Sequence, residues 1–113
     1  MNEHEYKEYG LSSPDKFAYL AKGCTQFLGS KSSDSKIPSD RKSVGHKKSG
    51  ILEDPIVDDL IDFKNTDRSL DNFGVELETK KDIYKIVAAL LHLGNVSFEE
   101  SEGTVPNLWT ASV

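Results

Sequence analysis

Cysteine, tryptophan and methionine each occur once in this chain of 113 residues, and long apolar runs are absent. With Cys24 as the single cysteine, no internal disulfide can form, so we predict a protein of the reducing cytoplasm. The longest apolar run, residues 86–91, has six residues, far below the roughly 20 that cross a bilayer. The start MNEHEYKEYG also lacks the basic residues and apolar core of a secretory signal. We therefore expect no membrane insertion.

The net charge of −5 hides an uneven distribution along the chain. Residues 29–50 carry six basic and two acidic residues, a local net charge of +4, whereas the rest of the chain sums to −9. The same stretch holds seven serines and only two sizeable apolar residues, Ile37 and Val44, with no periodicity. Such a composition is typical of a solvated loop. We predict a flexible basic insertion at 29–50 in an otherwise acidic body.

Two functions can be weighed for this basic insertion. Nucleic-acid binding is disfavoured, because 29–50 contains no aromatic residue to stack on bases and the surrounding chain is acidic. Phosphorylation fits better, since Ser43 and Ser49 each directly follow a pair of basic residues. A phosphate on each would bring the local charge near neutrality. Ser43 and Ser49 are therefore candidate phosphorylation sites, with a merely solubilising loop as the alternative, and no nucleic-acid partner is expected.

Short helices are predicted before this insertion. Residues 3–9 fit the last turns of a helix that starts outside the chain and ends at Gly10. Ser13, followed by proline, is typical of an N-cap and predicts a short helix through about Ala21. Buried positions expected in that second helix are Phe17 and Leu20.

After the insertion, Asp59 is the expected N-cap of a helix over about 60–72, with Gly74 beyond its end. Its packing residues would be Leu60, Phe63, Leu70 and Phe73. A structureless loop of 22 residues is uncommon within so small a compact domain and is usually an insertion in a larger scaffold. The pattern therefore favours a piece of a larger fold.

The strongest periodic signal lies at 77–93. Apolar residues there recur at helical spacing along one face: Ile83, Ile86, Val87, Leu90 and Leu91. Gly94 follows the last apolar turn, where a left-handed C-cap is expected, and His92 lies near the negative end of the helix dipole. Val96 and Phe98 alternate with polar residues and predict a short strand. Few other elements remain to cover this face.

These residues carry a family resemblance. The string IVAALLHLGNVSFEE resembles a helix, turn and strand of myosin motor heads, within the subdomain that forms the upper side of the actin-binding cleft. SSPDKFAYLAKGCTQFLGS resembles the segment of class VI unconventional myosins that leads into a class-specific insertion. DPIVDDLIDFKNTDRSLDNFG resembles the helix after that insertion. The similarity covers roughly 8–101, and Glu76 departs from it, because myosins commonly have a small hydroxyl cap there.

The resemblance implies a parent that hydrolyses ATP with magnesium, binds actin filaments and belongs to the actin cytoskeleton. It implies a chain that is mostly α-helical with a short strand, a fragment of the α/β P-loop-type motor domain. On this interpretation residues 1–101 are a partial motor domain from the upper 50 kDa subdomain, and 102–113 are an unassigned tail. The remainder of the head would be its partner. The alternative is a non-enzymatic small helical module that binds a partner through its basic loop.

The sequence contains no catalytic, cofactor or metal site that we can name. GHKKSG at 45–50 has the glycine spacing of a phosphate loop, but the following Lys and Ser/Thr are missing. An acidic cluster follows it without the spacing of a calcium loop, and we expect a structural role in helix capping: Glu53, Asp54, Asp58, Asp59 and Asp62. The histidines are too scattered for zinc. Cys24 is expected to be a small buried hydrophobe. The chain alone is predicted to be inactive.

Overall fold

A computed structural model of the chain describes residues 1–98 and the backbone of 109–111. Its α-helices are α1 (Glu3–Glu8), α2 (Ala18–Ala21), α3 (Lys31–Asp34), α4 (Val44–Ser49), α5 (Asp59–Asn72) and α6 (Leu77–Leu93). Its strands are β1 (Leu28–Gly29), β2 (Leu52–Glu53), β3 (Val96–Phe98) and β4 (Trp109–Ala111). Strands β1 and β2 pair in parallel, and β3 pairs with β4 antiparallel. The described part of the chain is therefore mostly helical with two small sheets.

The helix, turn and strand at the end of the described region form as the sequence predicts. Helix α6 spans 77–93 and β3 spans 96–98. The expected left-handed cap at Gly94 is wrong, because its φ of −62° is ordinary helical geometry. A Cβ at Gly94 would instead lie 2.6 Å from the Tyr19 ring. Glycine is needed here for close approach, and Asn95 secures the turn by accepting a 2.8 Å hydrogen bond from the Ala18 amide.

Helix α5 begins one residue earlier than the sequence suggests. Its N-cap is Asp58, whose side chain accepts a hydrogen bond from the Ile61 amide. Asp59, the expected cap, instead accepts a 2.9 Å hydrogen bond from the Leu28 amide and so ties β1 to α5. Phe73 was expected to pack, but it is 87% exposed. It lies at the C-cap of the helix, beyond the face that contacts the rest of the chain.

The amino-terminal segment differs from prediction in three details. Helix α1 begins within the chain, because the Asn2 side chain caps it by accepting from the Glu5 amide. Ser13 makes no side-chain cap bond, and the helix after it is divided into a 3-10 turn over Pro14–Lys16 and the single turn of α2. Phe17 is buried as expected, whereas Leu20 is exposed. One helical turn is too short to bury both.

The segment 29–50 has regular structure where the composition suggested none. It contains α3, a 3-10 turn over Ser39–Arg41 and α4. Ser30 and Ser43 are N-caps, each accepting a hydrogen bond from the amide three residues on. A parallel pair such as β1 and β2 needs a crossover connection of a dozen or more residues. The serine-rich segment is that crossover.

The apolar core is small. Among the described residues the buried apolar side chains are Tyr6, Tyr9, Phe17 and Ala88. The Phe17 and His92 rings pack edge to face with their centroids 5.3 Å apart, and His92 Nε2 lies 3.0 Å from the Tyr9 carbonyl oxygen. These contacts join the amino-terminal segment to the end of α6. Most of the apolar face of α6 is left uncovered.

Candidate functional site

The uncovered face of α6 is the first functional feature. Ile86 is 61% exposed and Leu90 is 53% exposed, one turn apart. Other large apolar side chains exposed along the helix are Leu77, Ile83, Val87 and Leu93. A contiguous apolar surface of this kind marks an interaction site. We call this set the α6 face, and it confirms the expectation that too few elements are present to cover the helix.

A polar network holds α6 against α5. The Tyr84 hydroxyl donates a 2.6 Å hydrogen bond to Asp67, and the Lys80 ammonium lies 3.2 Å from Asp67 and 2.9 Å from Asp71. The Tyr84 ring also packs on Phe63, with centroids 5.8 Å apart. The network fixes the relative orientation of the two helices, so the direction in which the α6 face points is fixed as well.

This network has a measurable pH signature. Burial, followed by the hydrogen bond to Asp67, raises the pKa of Tyr84 to about 12. The neutral phenol is therefore favoured by folding, and this contribution is complete below the ordinary tyrosine pKa of about 10 and lost as pH rises through about 12. Burial also raises the pKa of Tyr6 and of Tyr9, so we expect ultraviolet titration of tyrosinate to show a late step near pH 12 that is reduced by one group in Tyr84→Phe. A wild-type curve without that late step contradicts the network.

A second cluster lies inside the basic insertion. His46 is 2% exposed. Its Nδ1 accepts a 3.1 Å hydrogen bond from the Phe27 amide, so the ring proton is on Nε2, which lies 2.6 Å from Asp34. Burial would raise the pKa of Asp34, but hydrogen bonds from His46 and Lys42 outweigh it and lower the pKa. The sequence did not indicate this pairing, because the two residues are twelve positions apart without a motif.

The insertion is also attached to the start of α5. The Ser33 hydroxyl donates a 2.7 Å hydrogen bond to Asp58, the residue that caps α5. Gly29 lies so close to this carboxylate that a Cβ would be 2.8 Å from its oxygen, and the Gly29 φ of +151° also disfavours other residues. Hydrogen bonds from the Ile61 amide and from Ser33 lower the pKa of Asp58. The insertion and α5 therefore share one carboxylate.

The two candidate phosphorylation sites have opposite environments. Ser43 is fully buried: its hydroxyl accepts a hydrogen bond from the His46 amide and donates one to the Thr25 carbonyl oxygen. Ser49 is exposed in the last turn of α4. A kinase can reach Ser49 directly, whereas Ser43 is accessible only if α4 opens.

None of the remaining sequence candidates forms a ligand site among the described residues. The 45–50 glycines do not form a phosphate loop, because Val44–Ser49 is helical. Asp54 accepts hydrogen bonds from the Ile56 and Val57 amides in a tight turn. No group of metal-ligating side chains occurs in the part of the chain that the structure describes. Cys24 is exposed, so the expectation that it is buried is wrong.

Known proteins match the chain over most of its length. The family model "Myosin head (motor domain)" matches residues 1–110. Unconventional myosin-VI of Mus musculus is 45% identical over 94 residues, which cover 83% of this chain and 7% of that protein. Myosin heavy chain 95F of Drosophila melanogaster is 44% identical over 90 residues, 80% of this chain and 7% of that protein. The chain spans less than a tenth of the length of these relatives.

The family match extends into 102–113, for which the sequence alone suggests no assignment. Residues 102–113 lie outside the described residues except for β4, whose backbone pairs Ala111 with Val96 and Trp109 with Phe98. In the described part of the chain, no helix is long and apolar enough to cross a membrane. Because the family model covers nearly the whole chain and unconventional myosin-VI of Mus musculus is 45% identical over 83% of it, the chain belongs to the myosin head (motor domain) family and is class VI-like.

Proposed function

We propose that this chain is part of the upper 50 kDa subdomain of an actin-based, ATP-driven motor head in the cytoplasmic actin cytoskeleton. The observation that carries the proposal is the α6 face, because family membership is combined with a large apolar surface that the described residues leave uncovered. The remainder of the head is the natural cover for that surface. ATP, magnesium and actin filaments belong to the intact α/β P-loop motor in this proposal.

Within such a head, segment 29–50 would be the class-specific insertion near the nucleotide entrance. It can act by obstructing entry or by attracting the triphosphate. Obstruction is favoured, since the segment is built from short helices attached to Asp58, and a packed obstacle acts at any ionic strength. Exposed charges such as Lys47 and Lys48 are largely screened beyond about 8 Å at physiological salt.

We expect Lys47→Gln with Lys48→Gln to leave the rate of ATP association nearly unchanged in a chimeric head. The chimera is a class VI head in which the matched segment is replaced by that of this chain. Point changes are preferable to deletion, because removing 30–49 would destroy the crossover between β1 and β2. Stopped-flow measurement decides between the two. A variant that is slower than the unaltered chimera at low salt, with the difference vanishing in high salt because screening slows the unaltered chimera, indicates steering and contradicts obstruction.

The chain alone is expected neither to bind nor to hydrolyse ATP. The described residues offer no phosphate-binding loop, and the amides of 46–49 are already engaged within or near helix α4. Calorimetry with a non-hydrolysable ATP analogue should show no binding. Micromolar affinity that is lost in Lys47→Ala with Lys48→Ala would contradict this prediction.

The proposal as a whole is tested by the ATPase activity of the chimeric head. If residues 1–98 are equivalent to the segment they replace, actin-activated hydrolysis should remain within about one order of magnitude of the parent head. A chimera with the same segment in scrambled order is the control and should be inactive. A folded chimera without actin activation would overturn the proposal.

A further inference from the structure

A cavity lies between the basic insertion, the start of the chain and helix α5. Its volume is about 590 Å³, within the range of roughly 300–1,000 Å³ that is usual for small-molecule sites. The apolar part of its lining includes Phe27, Ile37, Leu60 and Phe63. All four side chains are half-buried. They come from three separate segments, so the cavity exists only when the insertion is folded onto α5.

Charged side chains also line this cavity. Lys36, Arg41 and Lys64 contribute positive charge, and Glu3 and Asp59 contribute negative charge. Three of these five already have partners. The Arg41 guanidinium donates to the Met1 carbonyl oxygen at 3.0 Å and lies 3.6 Å from Glu3, and Asp59 accepts from the Leu28 amide.

Lys36 and Lys64 differ from the other charged residues of the cavity. The side-chain ammonium of neither residue makes a hydrogen bond or an ion pair with any residue that the structure describes. Both are exposed, so an ammonium at the edge of the cavity can pair with a ligand without breaking an existing contact. The cavity thus combines an apolar lining with two unpaired positive charges, which is the complement of an amphipathic anion.

We infer that this cavity binds a small organic anion with an apolar body and a single carboxylate or sulfonate group. The body packs on Phe27, Ile37, Leu60 and Phe63, and the anionic group pairs with Lys36 and Lys64. The inference does not rest on the motor proposal, because the cavity is lined by residues of this chain alone. Since one wall is the insertion and another is α5, a bound ligand holds the insertion in place.

Anilinonaphthalene sulfonate is a suitable probe, because it joins an aromatic body to one sulfonate. The full chain is used with Ile86→Glu and Leu90→Lys, which remove dye binding to the α6 face. We expect saturable binding at one site. In a two-dimensional ¹H–¹⁵N NMR spectrum, the dye should change the chemical shifts of backbone amides within 36–41 and 59–64. Lys36→Ala with Lys64→Ala should weaken binding about fivefold. The matched control, Lys47→Ala with Lys48→Ala, lies outside the cavity and should not change it.

A second variant keeps the test decisive. Leu60→Trp fills the cavity and should abolish dye binding. Circular dichroism checks that helix α5 remains formed in this variant. If Leu60→Trp unfolds the chain, Ile37→Trp is used in its place. When the same dye titration is done with the chimeric head, the variants should have the same order of affinity. Binding that is unaffected by the Lys36 and Lys64 changes would overturn the inference. Competition by an oligoglutamate peptide but not by decanoate would overturn it as well and assign the cavity to an acidic chain segment.

Discussion

Replacing Ile86 by Glu and Leu90 by Lys is expected to convert a self-associating chain into a monomer. Both side chains are mostly exposed and lie at i and i+4 on the α6 face. Their removal eliminates the centre of the apolar surface, and the new Glu and Lys can pair along the helix. Size-exclusion chromatography at several concentrations should show larger species for the wild type only. The double variant should also bind less of an apolar dye than the wild type does.

The control changes the same helix without removing large apolar side chains. Lys85→Glu with Ala89→Lys introduces the same pair spacing and should leave self-association as it is in the wild type. The account is contradicted if the wild-type chain is a monomer that binds no dye and unfolds in one sharp transition. Such behaviour would mean that the chain covers the α6 face by itself.

Replacement of His46 by Ala should open the basic insertion. The substitution leaves the Phe27 amide and the Asp34 carboxylate without their partner and creates a cavity beside the Phe27 ring, whose centroid lies 5.0 Å from that of His46. The expected loss of local stability is about 2–4 kcal/mol. In the monomeric Ile86→Glu, Leu90→Lys background, trypsin cleavage within 31–48 should accelerate by about 30-fold to 1,000-fold, the change expected when cleavage follows the open population.

His4→Ala is the matched control, because the His4 side chain is 87% exposed and only approaches Glu8 at 3.7 Å. Surface changes of this kind usually alter stability by less than about 0.5 kcal/mol. Equal cleavage rates for His46→Ala and the wild type would show that His46 does not hold the insertion. In that case the serine caps alone would account for its structure.

Periodic patterns predicted the elements that pack over several turns. Helix α6, strand β3 and most of helix α5 follow from apolar spacing, because burial on one face imposes a period that the sequence must carry. The class VI resemblance, carried by the segments around the insertion, is supported by the comparisons. These predictions rest on local pattern and on strings of matching residues.

Features that depend on single contacts were not predictable. The structure of 29–50 rests on the Ser30 and Ser43 caps and on the pairing of His46 with Asp34, and none of these contacts has a period. Serine is equally typical of loops and of helix caps, so the serine-rich composition of 29–50 does not distinguish a loop from a series of capped short helices. Gly94 shows the same ambiguity, since glycine serves both left-handed caps and close approaches, and here the nearby Tyr19 ring decides.

Cysteine labelling of the α6 face tests the central claim most directly. Leu90→Cys is introduced together with Cys24→Ser, because Cys24 is exposed and would also react. We expect rapid labelling in the isolated chain, prepared with Ile86→Glu to weaken self-association, and labelling slower by at least about tenfold in the chimeric head with Ile86 intact. Ser49→Cys, at an exposed position, is the control and should react rapidly in both. Equal, rapid labelling of Leu90→Cys in chain and head would contradict the claim that the rest of a motor head covers this face.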